Sequence, residues 1–223
     1  MSPKTVVFDL DGTLADTSAD LIAAANWCFA DLGHGEVLDP VADAATAFRG
    51  GRAMLTLGFS RVDPGAGVAE IDREYPRLLA AYGDAIDRHT ILYPGARAAV
   101  AALKSAGYRL AVCTNKPEGL AELLMARLGV RRDFDALVGA DTLTVRKPDP
   151  APYRAAVERA GGATENSLLV GDTVTDFDTA RAAGVPVVLV TFGPAGKEMA
   201  ALAPDALLAA YSDLSGVVRH LIG

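Results

Sequence analysis

Five short apolar runs rich in β-branched residues, at 5–10, 108–113, 135–138, 167–170 and 186–190, set the strongest limit on how this chain can fold. Each is too compact to stand as a helix alone, and an apolar run without polar alternation suits a strand buried on both faces. Helical stretches lie between most of them, at 94–106, 118–128, 150–160 and 176–183. They are followed by Gly107, Gly129, Gly161 and Gly184, where a helix C-terminus favours glycine. Asp149-Pro150 adds a cap and a first-turn proline to the third helix. Strand and helix in alternation predict an α/β architecture: a parallel sheet with helices on both faces.

The rhythm fails before Pro94, where roughly 75 residues pass without a strand-like run. A helical domain inserted at 16–89 is expected there, with the core built from 1–15 and 90–223. Asp16-Thr17-Ser18 can cap a helix whose Leu21, Ala24, Ala25, Cys28 and Leu32 share one face before Gly33 stops it. Asp39-Pro40 can start another ending near Phe48, and 68–82 offers a third before Gly83. Trp27 and Phe29 read as core residues of this insertion, and the crossings near Ala15 and Thr90 read as hinges.

The bulk properties narrow the function classes. Half of the residues are hydrophobic and 22% are charged, which fits a globular protein and excludes a disordered one. No apolar run approaches the roughly 18 residues of a membrane helix, and the start lacks the pattern of a secretion signal, so a cytoplasmic protein that does not enter membranes is expected. A formal charge of −7 argues against general affinity for nucleic acid. Cys28 and Cys113 form no metal-binding spacing and read as buried apolar residues, and His34, His89 and His220 are scattered.

Four polar clusters stand just after or near the apolar runs: Asp9-Leu10-Asp11-Gly12-Thr13, Thr114-Asn115-Lys116, Lys147-Pro148 and Gly171-Asp172-Thr173-Val174-Thr175-Asp176. In an open parallel sheet, ligands bind beyond the carboxyl ends of the strands. Asp9, Asp11, Thr114 and Asp172 all fall at that end, and the helix start at Pro150 brings Lys147 towards the same rim. Such a set supplies the parts of phosphoryl transfer: a carboxylate, acids to hold a cation, a cation of its own and a proton donor. Taken singly, each part has a structural alternative. Asp11-Gly12 could be a turn, Thr114-Asn115 a cap, Lys147 a surface lysine, and Asp172 or Asp176 a loop residue. Those alternatives would all have to hold at once.

In their order, and in stretches such as Thr114-Asn115-Lys116-Pro117, Arg146-Lys147-Pro148-Asp149-Pro150 and Val170-Gly171-Asp172-Thr173, the clusters resemble the haloacid dehalogenase superfamily, and within it the phosphoglycolate phosphatase group. The resemblance implies a Rossmann-like core with a helical cap and a Mg²⁺-dependent phosphatase acting on a small phosphorylated metabolite. It implies that Asp9 is the nucleophile, forming an aspartyl-phosphate, and that Asp11 is the general acid and then the base. Mg²⁺ would be held by Asp9, Asp172 and the Asp11 backbone carbonyl, with Asp176 behind them. Gly12 permits the sharp turn, Thr114 and Asn115 face the phosphate oxygens, and Lys147 neutralises both nucleophile and phosphate. Phe48-Arg49-Gly50-Gly51-Arg52 stands where related enzymes present a substrate-contacting loop, so Arg52, or alternatively Arg49, is expected to grip the substrate's far end.

A phosphosugar mutase of the β-phosphoglucomutase kind, or a phosphatase of other specificity within the family, is the alternative. Thr13 and Asn115 lean towards the phosphatase group. Asp11 and Asp172 count against a dehalogenase, and the intact set counts against a silent binding protein. One departure from the group is the turn Thr191-Phe192-Gly193-Pro194, which bears on substrate choice. Either a monomer or a homodimer is compatible with the sequence.

Overall fold

A computed structural model describes residues 3–193, 196 and 198–223. The chain divides into two compact units, Met1–Ala15 with Leu92–Gly223, and Asp16–Ile91. In chain order the regular elements begin with β1 (Thr5–Phe8), β2 (Ala15–Asp16), α1 (Ser18–Asp31), α2 (Ala44–Ala47), α3 (Gly51–Val62), α4 (Val68–Asp84) and β3 (Ile91–Leu92). They continue with α5 (Ala96–Ser105), β4 (Arg109–Cys113), α6 (Glu118–Arg127), β5 (Ala136–Val138), α7 (Pro150–Arg159) and β6 (Ser167–Gly171). The last are α8 (Val174–Ala183), β7 (Val187–Val190), β8 (Ala206–Leu208) and α9 (Leu214–Ile222). No helix among the described residues is long and apolar enough to cross a membrane.

The sheet-bearing unit follows the expected Rossmann-like plan, with strand order β5-β4-β1-β6-β7-β8 and parallel pairing throughout. β1 lies between β4 and β6, and its Val6, Val7 and Phe8 are wholly buried. Burying a side chain of this size stabilises the fold by about 1.5–3 kcal/mol, which explains why these residues form the central strand. The chain winds outwards from β1 to β4 and β5 on one side, then crosses to β6, β7 and β8 on the other. That reversal opens a crevice at the strands' carboxyl ends and brings together the loops after β1, β4 and β6.

β8 and α9 extend the sheet and its covering beyond the five expected strands. The three residues of β8 are too few to carry a period, and Leu207 is exposed. Ladder bonds secure the strand instead, with Thr191 N–H donating to the Leu208 carbonyl and Asp205 N–H to that of Val187. The Thr191–Gly193 part of the anticipated turn follows β7, and Pro194 lies outside the described residues.

In the helical unit, α1 buries Leu21, Ala24, Ala25, Cys28 and Phe29 as its sequence predicts, together with Ile22, while Leu32 at the helix end is only half-buried. Phe29 packs edge-on against Phe59 at 5.2 Å between ring centres. Gly58 makes room for this contact, because a Cβ there would lie 2.1 Å from the Phe29 ring. Trp27 corrects an expectation: it is 50% exposed, with the Arg77 guanidinium over its ring, not part of the core. The segment after Asp39 does not become a helix at once. The Asp39 carboxylate accepts from the Val41 and Ala42 amides, forming a turn that delays the short α2 to Ala44. α3 was not anticipated; Gly50, at φ 94°, redirects the chain, so Gly51 and Arg52 open a helix instead of lying in a loop.

Candidate active site

The loop after β1 turns sharply at Gly12, whose φ is 78°. Gly12 N–H donates to the Ala15 carbonyl and Leu14 N–H to that of Leu10, closing the turn. A Cβ at Gly12 would lie 2.2 Å from Asp172 Oδ2, so two reasons require glycine here: the left-handed backbone and the close approach of β6's loop. Thr13, next along, donates its hydroxyl to Asp172 Oδ1 at 2.8 Å. The first and last polar clusters, 159 residues apart, are thereby tied directly to each other.

Lys147 occupies the middle of the site. Its Nζ lies 3.0 Å from Asp9 Oδ1 and 2.6 Å from Asp176 Oδ1, and the residue is only 3% exposed. Burial pulls its pKa down, but Asp176 and Asp9 more than offset that, so the ammonium is held above its ordinary range. Asp176 is positioned by local structure. Thr173 caps α8, with its hydroxyl accepting from Asp176 N–H while Asp176 Oδ2 accepts from Thr173 N–H. This capping box starts α8 two residues earlier than the sequence predicts, and it leaves Oδ1 for Lys147.

Asp9, Asp172 and Asp176 can each bring one carboxylate oxygen within 4.8 Å of the others. Burial raises the Asp9 pKa to about 7 against the opposing field of Lys147, with Asp176 and Asp11 adding to the rise. Burial also pushes Asp172 well above the carboxylate range, helped by Asp176 and Asp9. Three acids thus face one ammonium, and keeping all three ionised calls for further positive charge. Clustered carboxylate oxygens suit a hard divalent cation, so the donor set fits a metal. Asp176 is the least free to bind one directly, because Lys147 takes Oδ1 and amides with the Thr173 hydroxyl take Oδ2.

The Asp11 carboxylate stands apart from that cluster and pairs with Lys116 Nζ at 3.0 Å. Lys116 was part of the second polar cluster in the sequence, yet its type and position gave no sign of this partner. Thr114 is buried at the end of β4, and its hydroxyl accepts from Lys116 N–H. Asn115 has a partner that the sequence did not suggest: its Nδ2 donates to the Lys147 carbonyl at 3.0 Å, fixing the lysine's own backbone. Cys113, under the site, is a fully buried thiol pushed up to about 12 by burial, which disfavours the reactive thiolate.

Arg52 belongs to the helical unit. There it pairs with Asp72 at 2.6 Å and lies over the Tyr75 ring. Arg49 is exposed and meets no acid among the described residues.

Comparison with known proteins identifies the family. The model of a family described as haloacid dehalogenase-like hydrolase matches residues 3–184. Over 215 residues the chain is 39% identical to the phosphoglycolate phosphatase of Mesorhizobium japonicum, covering 96% of this chain and 94% of that protein. It is 40% identical over 223 residues to the phosphoglycolate phosphatase of Rhodospirillum rubrum, with 96% and 89% covered. Among solved structures, CbbY from Rhodobacter sphaeroides in complex with phosphate matches with a TM-score of 0.79 at 25% identity, over 97% of this chain and 99% of that one.

Proposed function

The chain belongs to the haloacid dehalogenase-like hydrolases, and from that premise we propose that it hydrolyses phosphoglycolate to glycolate and inorganic phosphate through an aspartyl-phosphate at Asp9. The observation that carries this reading is the Lys147 bridge between Asp9 and Asp176 beside the converging Asp172. A nucleophilic carboxylate must meet an anionic phosphate, and this arrangement supplies the means of offsetting that repulsion.

Mg²⁺ held by the Asp9 and Asp172 carboxylates and the Asp11 backbone carbonyl would supply the remaining positive charge. An Asp9 carboxylate oxygen attacks phosphorus, the bond from phosphorus to the ester oxygen breaks, and the departing alkoxide takes the Asp11 proton. Water then attacks the same phosphorus, giving its proton to Asp11. Breaking the acyl phosphate releases inorganic phosphate and restores the Asp9 carboxylate. Lys147 favours the ionised form of Asp9 without by itself overcoming burial, and Lys116 orients Asp11. Thr114 and Asn115, at the end of β4, serve the equatorial phosphate oxygens, where negative charge spreads in a loose transition state. Arg52, with Arg49 as the alternative, is the carboxylate-binding residue of the helical unit.

The purified protein with Mg²⁺ is expected to release inorganic phosphate from a panel of phosphate esters, with phosphoglycolate ranking first in kcat/KM. Isomerisation of a sugar phosphate with little phosphate release would identify a mutase instead. No phosphate release from any ester would contradict the proposal.

A further inference from the structure

We propose that Tyr211, from the short 3-10 turn ahead of α9, is a positioning residue for the reaction centre that acts through Thr13 on Asp172. The inference rests on the reading of Asp172 as a metal ligand. Two buried hydrogen bonds in series make the connection. The Tyr211 hydroxyl donates to the Thr13 backbone carbonyl at 2.7 Å, and the Thr13 hydroxyl donates to Asp172 Oδ1 at 2.8 Å. Both Tyr211 and Thr13 are buried. Their separation of 198 residues means that the carboxyl-terminal segment holds the loop carrying Asp9 and Asp11.

The phenol has little freedom to do anything else. Its ring lies tilted against Phe192 at 5.4 Å between centres, and Phe192 in turn lies tilted against Tyr93 at 4.8 Å. At its root, Tyr211 Cβ lies 3.2 Å from where a side chain on Gly95 would begin. Burial, and after it the Asp172 carboxylate, hold the phenol above its ordinary range, so it remains a donor. Beyond Phe8 the loop is held by Asp9 N–H on the Val170 carbonyl and by its own turn bonds, and the Tyr211 and Thr13 hydroxyls add side-chain anchors to these. Asp172 accepts the Thr13 hydroxyl on one oxygen, and its other oxygen lies so close to Gly12 that a Cβ there would be 2.2 Å away; both residues belong to that loop. A shift of the loop therefore re-aims Asp172. Groups that orient a metal's ligands in this way typically change metal affinity or activity by about 10–100-fold when removed.

The test compares wild type with Tyr211→Phe, Thr13→Val, the double variant and Val218→Ala, using steady-state kinetics, calorimetric titration with Mg²⁺ alone and thermal unfolding. Tyr211→Phe is expected to lower kcat and weaken Mg²⁺ binding, each by about tenfold, with KM for the ester unchanged. The double variant should be no worse than Thr13→Val, as for two links of one chain. Val218→Ala opens a cavity under α9 in the same carboxyl-terminal segment but keeps the Tyr211 hydroxyl, and should lower Tm while leaving kcat and Mg²⁺ affinity within about twofold of wild type. A Tyr211→Phe protein with only a lowered Tm, or a Val218→Ala protein with the same kinetic loss, would overturn the proposal. Unchanged Mg²⁺ affinity in Thr13→Val would do so even if Tyr211→Phe could not be purified. Wild-type protein without activity on any ester would instead remove the functional reading itself.

Discussion

In the inserted helical unit, buried acids are closed off by donors from their own surroundings; at the carboxyl ends of β1 and β6 they are gathered together with too little positive charge. Asp20 receives the His89 amide and both the amide and the hydroxyl of Thr90. Asp43 is gripped by both terminal nitrogens of Arg61, and Glu74 meets Arg73 and Arg77. The Arg61 bonds hold Asp43 below the ordinary carboxylate range, against a smaller opposing effect of burial. Asp9 and Asp172 shift the other way, because burial outweighs the one ammonium near them. The opposite directions set Asp43, closed off by an arginine, apart from Asp9 and Asp172, whose ionised forms would gain from a further cation.

The largest effect that could break this contrast is at Asp9. Asp9→Asn keeps the side chain's shape but removes its nucleophilic oxygen, so turnover should fall by about 10⁴-fold or more with the fold retained by circular dichroism. Appreciable residual turnover would place Asp9 among the structural carboxylates. Lys147→Ala comes next. Turnover should drop by about 100-fold or more, and denaturant unfolding should show a loss of about 3–5 kcal/mol, because Asp9 and Asp176 are left buried without their cation. Full activity of that variant would show that the site does not need its own cation.

The helical unit should respond more weakly. Arg52→Ala is expected to raise KM for phosphoglycolate about tenfold with little change in kcat, as for lost substrate binding. Unchanged kinetics would leave Arg52 as a surface partner of Asp72. The smallest change is expected for Asp43→Asn, at under about 1 kcal/mol near neutral pH, since Arg61 is largely exposed. The folded pKa of Asp43 is depressed, so its stabilising contribution is present above the unfolded value of about 3.9 and disappears as the pH falls through the folded one. Thermal unfolding curves of variant and wild type should therefore differ at pH 7 and converge below about pH 4. A gap that persists in acid would assign the effect to packing.

The same contrast governs what the sequence reveals. Strands buried on both faces must be continuously apolar, so β1, β4, β5, β6 and β7 stand out, and the four polar clusters at their ends follow from topology. The family resemblance built on those clusters agrees with the matching family model. Partnerships between distant side chains leave no such pattern. Nothing adjacent to Lys116 indicates that it meets Asp11, and Asn115 gives no local sign of bonding the Lys147 carbonyl. In the helical unit, Trp27 fits a buried face by type yet is exposed under Arg77, and α3 begins at Gly51 straight after Gly50, a pair that reads as a loop. Apolar periodicity places helices, but it does not say which aromatic ring a neighbouring arginine will cover.

The most direct measurement of the central claim is rapid quenching of the enzyme with Mg²⁺ and phosphoglycolate in acid, followed by peptide mass spectrometry. The account predicts a phosphoryl adduct on Asp9 that appears within one turnover, decays with the release of phosphate and is absent from Asp9→Asn. An adduct on another residue, or single-turnover phosphate release with no adduct at any time, would contradict it.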